Sequence, residues 1–288
     1  MIRLVGMLIG LGFTFVVLLA FGVGAYTAAT EEVEPQAGYA FHAEPHAPEG
    51  GFASDGPFGR WDQAQLQRGY QVYKEACAAC HSLGYVAFRN LADLGYSDAQ
   101  IKAEAESYQI PHYDPSTGEV TRSAGLPTDN FPPVAYAGLG SPPDLSLITK
   151  ARGDGTNYVY SLLTGYEDMA TYANEDGELL TEEFPEFQVG EGLHFNPYFE
   201  GLAIAMPAPL QDGQVTYAVD ENGVAPEATV DQMSQDVAAF LTWTAEPKMM
   251  ERKRTGWWIL AFTLFATILA WFAKKSVWSA VKPKREDD

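Results

Sequence analysis

Cysteine is almost missing from this chain. Cys77 and Cys80 are the only two among 288 residues, which excludes a disulfide-framed fold and a four-cysteine zinc site. Positive charge is scarce as well: 18 Lys and Arg stand against 38 Asp and Glu, a formal net charge of −20. Phosphate recognition needs a basic face, so no nucleic acid is expected as a partner. No internal repeat is visible. What is present is apolar material, 47% hydrophobic and 13% aromatic residues, enough to exclude disorder as the overall state. The length allows one large domain or two small ones.

The few cations are unevenly placed. Nine of them flank the two most apolar stretches, which leaves nine basic and 35 acidic residues between positions 4 and 251; a charged partner of that region is expected to be cationic. Residues 4–26 form an uncharged, mostly apolar run after Arg3. A bilayer takes about 20 such residues and a signal peptide's apolar core roughly 7–15. Residues 1–29 are therefore read as a signal or an uncleaved membrane segment, with retention favoured, although Thr27 and Ala29 offer small residues to a peptidase. Residues 255–273 carry Trp257 and Trp258 at one end, Trp271 at the other, and basic residues beyond both, the pattern of a transmembrane anchor with interfacial aromatics.

Between these segments, residues 30–60 read as a linker or extended arm rich in Pro, Gly and Ala. Residues 62–76 are a helix candidate capped by Asp62, with Leu66, Tyr70, Tyr73 and Cys77 on one face. Seven prolines argue for loop over 107–146. A short helix is expected over 156–163 and a longer one over 229–246, ending before Pro247.

Cys77-Ala78-Ala79-Cys80-His81 carries the chemistry. One turn of chain puts two thiols where they can add to the two vinyl groups of a haem, and the next residue supplies an axial imidazole. A thiol redox pair would need a βαβ context that this Pro-rich sequence lacks, and zinc would need two more ligands. The iron then needs a sixth ligand, usually Met or His in electron transfer. Met233 falls on the apolar face of the 229–246 helix and reads as core. Met169 has acidic neighbours. Met206, in the apolar, Pro-stiffened run Ala203 to Leu210, is the strongest candidate, while His194 is a loop histidine without special context and His42 and His46 are solvated in the arm.

In these blocks the sequence resembles the cytochrome c1 family. Gly56-Pro57-Phe58-Gly59-Arg60, Cys77–His81, Pro142-Pro143-Asp144-Leu145-Ser146, Lys150-Ala151-Arg152, the run Tyr158 to Tyr166, Asn196-Pro197-Tyr198-Phe199, the Met206 loop and a basic-flanked anchor follow in order. The resemblance implies a mainly α, class I cytochrome c-like haem domain with long loop insertions over 61–250, a transmembrane helix and a cytoplasmic tail over 274–288. It implies one haem c on Cys77 and Cys80, His81 and Met206 as axial ligands, the Pro143 carbonyl on the His81 ring, and Arg152 and Tyr158 near a propionate. It also implies a bacterial inner-membrane subunit of a dimeric quinol:cytochrome c oxidoreductase with its haem domain in the periplasm. Its expected partners are cytochrome b, a Rieske iron–sulfur protein and a c-type cytochrome as acceptor. The rival expectations are a free membrane-anchored c-type cytochrome and an anchored thiol–disulfide oxidoreductase. Two departures stand out: Ala135 to Ser141 replaces an Asn-rich stretch common in the family, and the first 55 residues match poorly.

Overall fold

The computed structural model describes residues 2–30, 36–113, 115–138, 140–219, 223–279 and 281. It is mainly helical, and its order follows from where the apolar faces can be buried. The first helix, α1 (Ile2–Thr30), is apolar all round and buries nothing, as does the last, α9 (Met249–Ser279). Both are long and apolar enough to cross a membrane. The arm after α1 holds one turn, α2 (Ala37–Ala40). Its described part is fastened at intervals: Phe41 and Phe52 keep 1% and 5% of their surface. The backbone N–H of His46 donates to Ser161 Oγ at 2.9 Å, and that hydroxyl returns a bond to His46 O at 3.1 Å.

Helix α3 (Gln63–Val72) starts where expected, with Asp62 accepting from the Gln65 N–H at 3.1 Å. The α-helix stops at Val72, and Tyr73–Cys77 continue as a wider π turn. Besides the single turns at Ala37–Ala40, Ile148–Ala151 and Leu180–Glu183, two longer helical pieces lie outside the sequence expectations. A 3₁₀ segment covers Phe88–Leu94. Helix α4 (Asp98–Glu106) follows it, opened by a Ser97–Gln100 capping box. The loop expected over 107–146 contains a hairpin, β1 (Gln109–Tyr113) against β2 (Val120–Ala124). Pro111 is tolerated there because the sheet has two strands, so each has a free edge that needs no N–H donor. His112 thus lies in a strand, where it meets Ser123 Oγ at 2.6 Å and the Asp129 carboxylate at 2.9 Å.

A short α5 (Ile148–Ala151) leads into α6 (Gly155–Thr164). One turn, α7 (Leu180–Glu183), and a two-residue pairing of β3 (His194–Phe195) with β4 (Ala203–Ile204) come before α8 (Val230–Ala245). His194 is therefore in a strand, exposed, and not in a loop.

The main core lies where α3 and α6 meet α8. Gly69 makes the α3–α8 contact possible: a Cβ there would come within 2.0 Å of Asp236 O and 2.6 Å of Phe240 Cβ. Beside it Arg68 grips the fully buried Asp236 carboxylate with two bonds of 2.9 and 3.0 Å. Met233 is core, 0% exposed. A second, smaller cluster gathers Phe41, Leu180, Phe195 and Leu202, with Met169 against it.

Three residues separate α8 from α9, and the start of α9 is fastened to the arm. Lys253 Nζ donates to the carbonyls of Ser54 and Gly56 at 2.6 and 2.7 Å, and the Phe58 and Trp257 rings stack 5.1 Å apart.

Candidate haem site

The π turn delivers Cys77 to the edge of the main core. From there the N–H groups of Cys80 and His81 both donate to Cys77 O, at 3.0 and 2.9 Å, so the two thiols and the imidazole leave one compact turn. Tyr73, buried beneath, donates its hydroxyl to His81 O at 2.9 Å. The two cysteines form no disulfide. Burial, reinforced by neighbouring Cys80, pushes the Cys77 thiol up to about 12. That shift runs away from the thiolate that redox exchange uses at such a cysteine.

The His81 ring is held from the far side of the sequence. Its Nδ1 lies 2.8 Å from Pro143 O. A carbonyl only accepts, so Nδ1 carries the proton and Nε2 keeps its lone pair for a metal. The next residue secures that arrangement. Asp144 accepts from Ser82 Oγ at 2.8 Å, from the Gly84 N–H at 2.6 Å and from the Ser146 N–H at 2.8 Å, while the Leu145 N–H donates to Ser82 O at 2.9 Å. Burial alone would lift the Asp144 carboxyl, but hydrogen bonds from Ser146, Gly84 and Ser82 outweigh it and hold it below the usual carboxylate range.

Met206 follows β4. The chain reaches it through Leu202, a buried residue at φ 63°, a left-handed conformation unusual for leucine that is held in place by the second cluster. The two candidate methionines are separated by their surroundings: Met206 packs on the core that contains Cys77, and Met169 on the cluster around Phe41. Arg152 is exposed, donates to Ala151 O at 3.1 Å, and has no carboxylate partner among the described residues. Tyr158 lies close enough to feel that charge: burial raises its phenol against the pull of the guanidinium. Sequence reasoning overlooked Tyr166, which donates its hydroxyl to Met206 O at 2.9 Å. The Asn196 block also gains a reason: its buried amide donates to Leu162 O at 2.8 Å, closing the end of α6.

These groups fit a covalent haem. Two thiols stand one turn apart, an imidazole is oriented with Nε2 free, a thioether sits on the same core, and a guanidinium with no carboxylate partner among the described residues stands beside a phenol. A mainly helical domain with that set is a c-type cytochrome.

Comparison with known proteins narrows the class. The model of the Cytochrome C1 family matches residues 52–281. Cytochrome c1 of Rhodospirillum rubrum is 41% identical over 237 residues, covering 79% of this chain and 85% of that one. A mitochondrial cytochrome c1 heme protein of Solanum tuberosum is 38% identical over 270 residues, covering 91% and 93%. Cytochrome b/c1 of Bradyrhizobium diazoefficiens is 44% identical over 240 residues; the alignment covers 78% of this chain but only 34% of that protein, so the chain spans about a third of its length. The chain belongs to the cytochrome c1 family, which carries haem c covalently, and Cys77 and Cys80 have the spacing for it.

Proposed function

We propose that the chain is the haem-bearing electron-transfer subunit of a quinol:cytochrome c oxidoreductase, taking one electron from a Rieske iron–sulfur protein and passing it to a c-type cytochrome. The observation that carries this reading is the His81–Pro143 contact inside a Pro-Pro-Asp-Leu-Ser block, in a chain of the cytochrome c1 family. When bound, the haem supplies a one-electron couple. The chain's own residues set its terms. Cys77 and Cys80 hold it through thioether bonds. His81 Nε2 and the Met206 sulfur would hold its iron, and a thioether there would favour the reduced state. The Pro143 carbonyl fixes the imidazole plane, and the Arg152 guanidinium would neutralise a propionate with Tyr158 beside it. No side chain moves a proton in this reading.

Haem attachment by this motif belongs to the exported side, so residues 30–250 are periplasmic, α9 is the anchor, 274–288 is cytoplasmic and α1 is a second membrane span. The acceptor docks on the acidic segment 167–191, whose nine carboxylates are all exposed. Cytochrome b and the Rieske protein are the partners within a dimeric complex. Purification in mild detergent, with subunit identification and a reduced-minus-oxidised spectrum, tests this. A c-type spectrum with cytochrome b and a Rieske protein in the same peak is expected. A c-type spectrum from the chain alone would favour a free anchored cytochrome feeding an oxidase.

A further inference from the structure

The two sides of the site are held to different degrees. His81 has Pro143 on its ring and Tyr73 on its carbonyl. The Met206 loop has far less: among the described residues no backbone–backbone hydrogen bond holds 205–210, and Pro207 and Pro209 have no N–H to offer. A thioether is a weak ligand with a flexible stem, so a loop this free would let it leave the iron. The tie present at that residue is the Tyr166 hydroxyl on Met206 O, 2.9 Å.

Tyr166 is presented from a fixed point. It stands just beyond α6, whose end is closed by the Asn196 amide on Leu162 O. Gly165 lies directly under the Tyr198 ring, where a Cβ would meet Cδ2 at 2.3 Å, so only glycine lets the chain turn there. Burial, together with the nearby Tyr158, raises the Tyr166 phenol far above its ordinary range, so the hydroxyl keeps its proton and remains a donor. Helix α6 thereby joins the two halves of the site, with Tyr158 beside Arg152 at its start and Tyr166 beneath Met206 at its end.

We propose that Tyr166 is a positioning residue for the sixth ligand: its hydroxyl holds the Met206 carbonyl so that the thioether stays seated. The proposal rests on Met206 being that ligand. It is tested on the full-length haem-loaded chain in detergent by titrating the ferric form with imidazole, which binds only when the thioether has left. Tyr166→Phe keeps the ring and removes one hydrogen bond, so imidazole is expected to bind about fivefold more tightly, with unchanged haem content and a lower reduction potential. Tyr160→Phe is the comparison. It deletes another α6 phenol bond, of 2.5 Å to Asp231, in which no residue of 205–210 takes part, and is expected to leave the imidazole affinity at the wild-type value. Wild-type affinity in Tyr166→Phe, or an equal change in both variants, would overturn the proposal. Met206→Leu separates the two levels: if the far-red band of a methionine-bound ferric haem survives that change, the ligand assignment has failed, and the Tyr166 proposal falls with it.

Discussion

His81 and Pro143 stand 62 positions apart in the chain, and the ring N–H of one points at the carbonyl of the other across 2.8 Å. That single contact selects the tautomer, fixes the ring plane and leaves one nitrogen for metal. It also explains why the residues around each partner are stitched together through Asp144. Several expectations can be set against experiment.

Met206→Leu should lower the haem potential, because the thioether stabilises ferrous iron. Met169→Leu should leave it unchanged, since Met169 packs on the Phe41 cluster, apart from Cys77. Redox titration of both variants checks this, and the reverse pattern would move the ligand to Met169.

Arg68→Leu should destabilise the domain by about 3 kcal/mol, the low end for breaking a buried pair, because Arg68 itself keeps 24% of its side chain in water. The Asp236 carboxylate would be left with Gln232 at 3.0 Å and no cation. Urea unfolding followed by haem absorbance measures the loss. A change below about 1 kcal/mol would show that solvent relaxes into the site.

Asp129 anchors the hairpin through the Leu126 N–H at 2.7 Å and His112 at 2.9 Å. Burial pushes its carboxyl up, but those two partners outweigh it and the net shift is downward. A carboxylate lowered on folding contributes stability that is complete above its unfolded value of about 3.9 and is lost as pH falls through the folded one. Amide protection in β1 and β2, taken against the intrinsic exchange rate at each pH, should therefore fall as pH drops below about 4. Asp129→Asn should show low protection already at neutral pH and lose the acid-dependent fall. A hairpin equally protected in both proteins would remove Asp129 from this role.

Glu182, Glu183 and Glu186 lie on and just after α7, on an exposed surface backed by Leu180 and Phe184. Changing all three to Gln should slow electron transfer to a basic c-type cytochrome at low salt and flatten its ionic-strength dependence, since the attraction is screened over ~8 Å at physiological salt. Stopped-flow rates across a salt series decide it; an unaltered slope would assign the cluster to solubility alone.

Protease added to sealed spheroplasts should digest the haem domain and spare a tag placed after Asp288. Loss of the tag with survival of the domain would reverse the orientation.

Local signals were readable in the sequence wherever they act locally. Asp62 capping and the Leu66–Tyr70 face announced α3, and the Val230–Ala245 stripe announced α8. The Ser97–Gln100 box that opens α4 is equally local. What could not be read depends on distant chain. The hairpin over 109–124 has no apolar alternation, because all of β2 is exposed. The π turn before Cys77 is recognised by the Tyr73–His81 bond it permits. Tyr166 looks like any aromatic after a glycine until Met206, 40 residues on, meets its hydroxyl.

The joint between α8 and α9 carries a mechanical consequence. With three residues between the helices, a lysine holding two carbonyls of the arm, and two rings stacked across the seam, the domain is tied to its stalk at several points and not hung from it as a load on a rope would be. On the proposed topology a haem held by Cys77 and Cys80 would keep one height and one heading over the bilayer, its electron carriers would have to do the travelling, and lengthening the joint with a few glycines would turn a fixed relay station into a drifting one.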